Sequence, residues 1–434
     1  MNKRNKKNII FKILFSTMAL ISFLILFLGN NYNNYYLLIC NSDAISEEDK
    51  IYIKKYGDTL DGQVKIIDAK DIKDAAMMCQ CLKNSFNNIS DKIKAIQIFG
   101  TKDDVPAFEI GFEVKMGEDK IDRAYEDFVS DFFYSSFDSD FYRLKSRTAI
   151  NTIFANKLDV SFVPRWQVSR LPLKKDEISK FIKKYFVYKD QIKALGNTNK
   201  IPVVSFSNPI LLESPVVDDM GYFIREKIDK QYKYLNNRTY RLYGLLEGYN
   251  KVSKPVDGDF IKENLEKENK KQIMDLFINC HGEKDKFIKL VFKSDSLGDR
   301  EMTSFIDRSN INSILKHNYY TLAAWSCLVA QGLDDQNIIY DILRYKCVDA
   351  IVATTIISNN GTNNRVDFEK KQDNNFYLFY YEFFKSLSNN NSRSESFFKA
   401  QKAYAESVIK NKDLDDLYQY HIVNILSYHH LGLV

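Results

Sequence analysis

Residues 273–282 read IMDLFINCHG, eight residues that are apolar except for Asp275 and Asn279, then a histidine and a glycine. A run this short, bounded by polar sequence, is a buried strand of a parallel sheet rather than a helix. His281 is one of only 5 histidines in 434 residues, and no local need calls for an imidazole at a strand end. A second stretch, YYTLAAWSC (319–327), ends in the same manner on Ser326 and Cys327. The sequence between them contains DREMTSFIDRSNINSILK, which has the spacing of a crossover helix. Such a crossover returns the second strand parallel and adjacent to the first.

In open α/β sheets, functional groups gather beyond the carboxyl ends of the strands, where His281 and Cys327 both fall. A thiol beside an imidazole becomes a nucleophilic thiolate, and the imidazolium returns the proton to a leaving amine. Gly282 lacks a Cβ, so backbone N–H groups there can approach a reacting carbonyl oxygen. Taken singly, a strand-end histidine is usually structural and a cysteine is usually packing. Cys280 points to the opposite strand face and reads as core, and Cys347 precedes its strand at the wrong end. CLVAQGL has no arginine to close a phosphate loop, which excludes a phosphatase-type cysteine. Cys79 and Cys81 diverge on a helical pattern, and His317, His421, His429 and His430 show no ligand spacing. No metal or cofactor is read from these residues.

Around this pair the chain alternates short apolar runs with helical patterns. YYLLIC (35–40), QVKIID (63–68), KAIQIF (94–99) and DVSFVPRWQVS (159–169) form a first series. IPVVSFS (201–207), RLYGLLEG (241–248), IMDLFINC, YYTLAAWSC and VDAIVATT (348–355) form a second. Helical patterns lie between them, at 221–234, 258–271, 333–346 and from Lys175, where Ile178, Phe181, Ile182 and Tyr185 share a face. Two aromatic-rich helices are expected at the end. The fold class is therefore α/β, as parallel sheets covered by helices on both faces. The expected organisation is two adjoining subdomains, 34–196 and 197–434, behind an N-terminal segment at 1–30.

That segment is basic and then apolar. Lys3, Arg4, Lys6, Lys7 and Lys12 precede ILFSTMALISFLILFLG (13–29), which has no charge. Its length suits a transmembrane helix with Lys12 snorkelling, and the following LFLGNN is a poor cleavage site. An uncleaved single-pass anchor at the cell membrane is expected, with the remainder extracytoplasmic; a cleaved signal and secretion are the alternative. Removing those five charges from 62 basic residues leaves 57 against 57 acids, so no nucleic-acid partner is indicated. Hydrophobic content of 45% excludes general disorder.

His-Gly after one apolar strand and Ser-Cys after the next resemble the motif pair of the caspase-like cysteine peptidases, which include caspases, legumain, clostripain, separase and gingipains. Several further stretches are similar to the gingipain family in particular. These are IQIFGTKDDVPAF (similar to the family's strand ending in Gly-Asp), DFFYSSFDSDF (similar to its aromatic Asp-x-Tyr-Tyr segment) and DVSFVPRWQVSRLPLKKDEISKFIKKYFVYKD (similar to its strand ending Gly-Arg-Leu-Pro and the helix after it). VDAIVATTIISNNG and SFFKAQKAYAES are similar to the family's strand and helix after the nucleophile, so the resemblance runs from about Tyr35 to Lys412.

What the resemblance implies is a caspase-like three-layer α/β/α fold and a cysteine endopeptidase acting on protein or peptide. Cys327 would be the nucleophile and His281 the general base and acid, with the N–H groups of Gly282 and Cys327 as oxyanion hole. Gingipains that cut after arginine carry an acid in the loop matched here by SNPILLESPVVDDMG. Asp218, with Asp219 beside it, would then receive an Arg or Lys side chain, or else both cap the following helix. The family's histidine-orienting carboxylate corresponds to Ser207, with Glu213 the nearest loop acid, and no long propeptide is expected. A catalytically silent domain of this fold, acting as a membrane-tethered scaffold, is the alternative reading.

Overall fold

The computed structural model describes residues 34–116, 122–145, 147–150, 153, 161–195, 201–207, 240–244, 246–247, 273–292, 300–315, 317–354, 377–410 and 418–434. The apolar stretch 13–29 and the helical patterns at 221–234 and 258–271 lie outside them. Among the described residues no helix is long and apolar enough to cross a membrane.

The first half is built from β1 (Tyr35–Cys40), α1 (Glu47–Gly57), β2 (Gln63–Asp68), α2 (Ala75–Phe86) and β3 (Ile93–Phe99). Local chemistry sets the helix starts. Ser46 and Asp49 form a reciprocal capping box on α1, and the Asp74 side chain accepts from the Met77 N–H on α2. After β3 come a hairpin, β4 (Phe108–Met116) and β5 (Asp122–Ser130), and the short β6 (Arg147–Ala149) beside it. β7 (Gln167–Leu171) then leads into α3 (Ile178–Leu195). β7 starts later than the run 159–169 predicts, because Pro164 cannot donate to a ladder. On α3 the predicted face is buried: Ile178 0%, Phe181 2%, Ile182 0% and Tyr185 9% exposed.

The second half has β8 (Val203–Ser207), β9 (Tyr240–Gly244) and β10 (Leu246–Glu247), so 241–248 is divided between two strands. β11 (Ile273–Asn279) follows, then β12 (His281–Glu283), β13 (Lys286–Phe292) and β14 (Arg300–Asp307). The crossover helix expected for this region does not form. Residues 300–307 are a strand paired antiparallel with β13, and the helical part is one turn, α4 (Ile311–Ile314). Pairing with β13 holds this stretch extended, and Phe305 and Ile306 are both buried. β15 (Asn318–Trp325) still returns parallel and adjacent to β11. α5 (Ile338–Tyr345) and β16 (Cys347–Ala353) follow.

The two aromatic helices are α6 (Tyr377–Ser388) and α7 (Arg393–Lys410), but the chain does not stop there. α8 (Tyr418–Ser427) runs into β17 (Tyr428–Gly432). That last strand joins the halves. The large sheet has the order β2-β1-β3-β7-β17-β16-β15-β11-β8-β9, ten strands in one continuous surface. β17 runs antiparallel to β16 and bridges to β7 through Leu431 and Arg170. The two apolar cores follow the sheet's two faces and not its two halves. Leu37, Ile98, Phe277, Ala323 and Ile351 pack on one side with α2, α6, α7 and α8. Leu38, Phe99, Leu276, Leu322 and Val352 pack on the other with α1, α3 and α5. This is a three-layer α/β/α molecule around one dominantly parallel sheet.

The loops show that the carboxyl ends of both halves face the same side. Lys174, after β7, pairs with Asp335, after β15. The Thr354 hydroxyl, after β16, donates to the Val129 carbonyl at 2.7 Å.

Candidate active site

β11 and β15 lie side by side with Asn279 opposite Trp325, so the next residues, Cys280 and Ser326, also face each other. Their side chains meet at 3.7 Å on the α5 face of the sheet. Cys280 is 7% exposed, and burial pushes its thiol up to about 12. It is a neutral core group, as its strand parity predicts. Cys327 turns to the other face, where it is half-buried against the core that includes Tyr428 and Ala353. His281 is exposed at the start of β12.

Gly282 is what allows these strand ends to meet. A Cβ on it would stand 2.4 Å from the Cys327 carbonyl oxygen, 2.6 Å from Val329 Cγ1 and 3.1 Å from Ser326 Cβ. Only a residue without a side chain lets the His-Gly segment lie against the Ser-Cys backbone. The chain leaves Cys327 through Leu328, which takes φ +58. A leucine in the left-handed region is strained, and such strain is held only where the surroundings enforce it. Here they do. Ala330 N–H donates to the Ala353 carbonyl at 3.1 Å and Gln331 N–H to the Leu328 carbonyl at 2.9 Å. The two loops are also tied to each other, by Ile338 N–H to the Lys284 carbonyl at 2.8 Å and by the Lys284–Asp334 ion pair at 3.0 Å.

Below the site, the Tyr380 and Tyr428 hydroxyls are 3.0 Å apart and both reach the Ala324 carbonyl. Burial raises Tyr428 well above its usual value, and the neighbouring Tyr380 and Cys327 push the same way. Asn279, not foreseen from sequence, is 4% exposed at the end of β11, and its Nδ2 has no hydrogen-bond partner among the described residues. Ser207 ends β8 directly beside it. Glu213, Asp218 and Asp219 lie outside the described residues. No cluster of three or more His, Cys, Asp or Glu with metal-binding geometry occurs among the described residues.

The family model described as peptidase family C25 matches residues 30–431. The chain belongs to that family. Its fold agrees: the crystal structure of the Arg-specific cysteine proteinase gingipain R matches with a TM-score of 0.55 at 11% identity, over 93% of this chain and 78% of that one. The complex of Porphyromonas gingivalis RgpB pro- and mature domains matches with a TM-score of 0.56 at 10% identity, over 92% of this chain and 78% of that one. A third, titled "Structure of Protease", gives a TM-score of 0.54 at 12% identity, over 93% and 78%. No curated protein matches the chain.

Three of the stretches similar to gingipains turn out to make one buried knot. Arg170, 1% exposed, donates to both carboxylate oxygens of Asp131 at 2.7 Å. Its Nη1 donates to the carbonyls of Gly100, Thr101 and Val105 at 3.0, 2.9 and 3.0 Å. Tyr134 closes the knot with a hydrogen bond to the Pro106 carbonyl. In this C25 member the arginine of Ser-Arg-Leu-Pro therefore fixes the loops at the carboxyl ends of the first half, against which the β15 loop leans. Spacing alone did not reveal that partnership, because Asp131 is 39 positions away.

Proposed function

We propose that this C25 family member is a cysteine endopeptidase in which Cys327 and His281 carry the reaction. The observation behind this reading is the contact of Gly282 with the Cys327 backbone, which puts the two strand ends side by side on the carboxyl edge of the sheet. The Cys327 thiol passes its proton to His281, and the thiolate attacks the scissile carbonyl carbon. The developing oxyanion accepts from the N–H groups of Gly282 and Cys327. The C–N bond breaks as the imidazolium gives its proton to the leaving amine, leaving a thioester on Cys327. His281 then takes a proton from water as it attacks the thioester, and the thiolate departs.

The substrate is a protein or peptide. Asp218 receives an Arg or Lys at the P1 position, since a carboxylate is the complement of either cation. The segment 13–29 holds the enzyme at the cell membrane with its peptidase domain outside.

An activated-ketone probe applied to the full-length chain in detergent tests the reading. A probe with Arg or Lys at P1 should label the wild type and Cys280→Ala, but neither Cys327→Ala nor His281→Ala. Asp218→Asn should reduce labelling by the basic probe while sparing an uncharged one. Labelling that survives in Cys327→Ala sinks the assignment of the nucleophile. Equal labelling by basic and uncharged probes removes Asp218 alone.

A further inference from the structure

At the opposite end of the sheet from His281 and Cys327 lies a cavity of about 520 Å³. It sits at the amino ends of the strands, where Tyr36 of β1, Lys94 of β3, Gln167 of β7 and Tyr320 of β15 converge with α3 and the first turn of α7. Its size falls in the roughly 300–1,000 Å³ range of pockets that hold small molecules. We propose that this cavity binds a small ligand carrying an oxyanion on a planar ring.

Gln167 gives the first indication. It is 7% exposed, it lines the cavity, and its amide has no hydrogen-bond partner among the described residues. Its amide is therefore presented to the cavity, where it can bond a ligand or water. Charge gives the second, independent indication. Lys94 is balanced by Asp61 at 3.0 Å, Arg393 by Asp275 at 3.2 Å, and Glu395 by Lys399 at 2.7 Å. Lys189 and Lys193, one turn apart on α3, have no acidic partner among the described residues. With the other charges of the lining paired, these two lysines leave it positive. The amino end of the 18-residue α7, with Ser392 and Arg393 at the wall, adds its partial positive charge.

The walls supply the planar complement. Tyr36, Tyr185 and Tyr320 line the cavity, and the Arg393 guanidinium lies 4.5 Å from the Tyr320 ring centre. Aromatic rings stack favourably on a flat group, and a cation over a ring is favourable as well. Phosphate and carboxylate share the chemistry that the lysines recognise.

The test is isothermal titration calorimetry on the full-length chain in detergent, with adenosine 5′-monophosphate and 4-hydroxybenzoate as anionic probes. Adenosine and phenol serve as their neutral counterparts. At least one anionic probe should bind about tenfold or more tightly than its counterpart. Which of the two binds separates a phosphate from a carboxylate ligand. The paired substitutions Lys189→Ala and Lys193→Ala, on an exposed helix face, should cost about tenfold in affinity, while Cys327→Ala should leave binding unchanged. Absence of binding by both anions, equal binding of a neutral counterpart, or undiminished affinity in the lysine variant would overturn the proposal. None of these outcomes bears on the peptidase reading.

Discussion

Gly282 is the residue on which the site's geometry turns, and its role is steric. With φ in the ordinary range it is not needed for backbone freedom; it is needed because a methyl group would meet the backbone carbonyl of Cys327 at 2.4 Å. That oxygen is not the tip of a flexible side chain, so the strand ends must part to make room. Gly282→Ala should cost about 1–3 kcal/mol of stability, as overpacking does. It should also lower probe labelling far more than Cys280→Ala, which removes only a thiol from a packed site at about 1 kcal/mol. Denaturant melts and labelling rates measured on both variants check this. Equal labelling rates would show that the approach of His-Gly to Ser-Cys is incidental. Cys280 and His281 were separable by strand parity alone, because successive strand residues face opposite ways. Asn279 was not, because its buried donor is evident only once its neighbours are in place.

Among the elements, β17 carries the most consequence per residue. Its two histidines are buried between the halves of the sheet. His430 Nδ1 is 2.6 Å from the Ser169 hydroxyl and its Nε2 is 3.3 Å from Asp349. His429 Nε2 lies 3.2 Å from the Val129 carbonyl and its Nδ1 lies 3.8 Å from Asp131. Burial pushes His429 down to about 4; Asp131 opposes this and Arg170 adds to it. The unfolded chain takes up the proton near 6.5, so between 6.5 and about 4 it binds more protons than the folded one. The stability due to a neutral His429 is thus complete above pH 6.5 and is lost as pH falls toward 4. The loss should be on the order of 3 kcal/mol across that window. Urea melts at the two ends of the window should show it in the wild type and a flatter response in His429→Gln. An unchanged slope in the variant would place the acid sensitivity elsewhere.

For the whole molecule, one continuous sheet predicts one cooperative unit. The two tryptophans report on different halves, Trp166 from the first and Trp325 from β15. Trp166 is 2% exposed, stacks on Phe137 at 4.3 Å and donates to the Ser90 carbonyl at 2.9 Å. Urea unfolding followed by fluorescence in Trp166→Phe and in Trp325→Phe should give coincident transitions, since both cores run across both halves. Separate midpoints would mean that β17 does not weld the halves. The same scale includes the membrane. Fractionation should find the full-length chain in the bilayer, with external protease reaching residues after Asn30. A mature N-terminus near residue 30 would instead make the protein secreted.

The sequence by itself determined the strands that matter most, because β11, β15 and β16 are mostly apolar, with no more than two polar residues each, over lengths that strands use. It determined the burial face of α3 and the parity that separates Cys280 from His281, since both follow from fixed helical and strand periods. It also carried the family, through short motifs in a fixed order. Tertiary structure decided the rest. Residues 300–307 became a strand because β13 offered a partner, and no local propensity records a partner. YHHLG became the central strand of the sheet, although two histidines and a glycine carry no strand signal, because the gap between β7 and β16 buries them against Ser169, Asp131 and Asp349. Arg170 is an exposed residue by composition and is 1% exposed in the fold, where Asp131 and three carbonyls replace its water. Periodicity registers which face a residue takes; which distant group meets it there is set only when the chain closes.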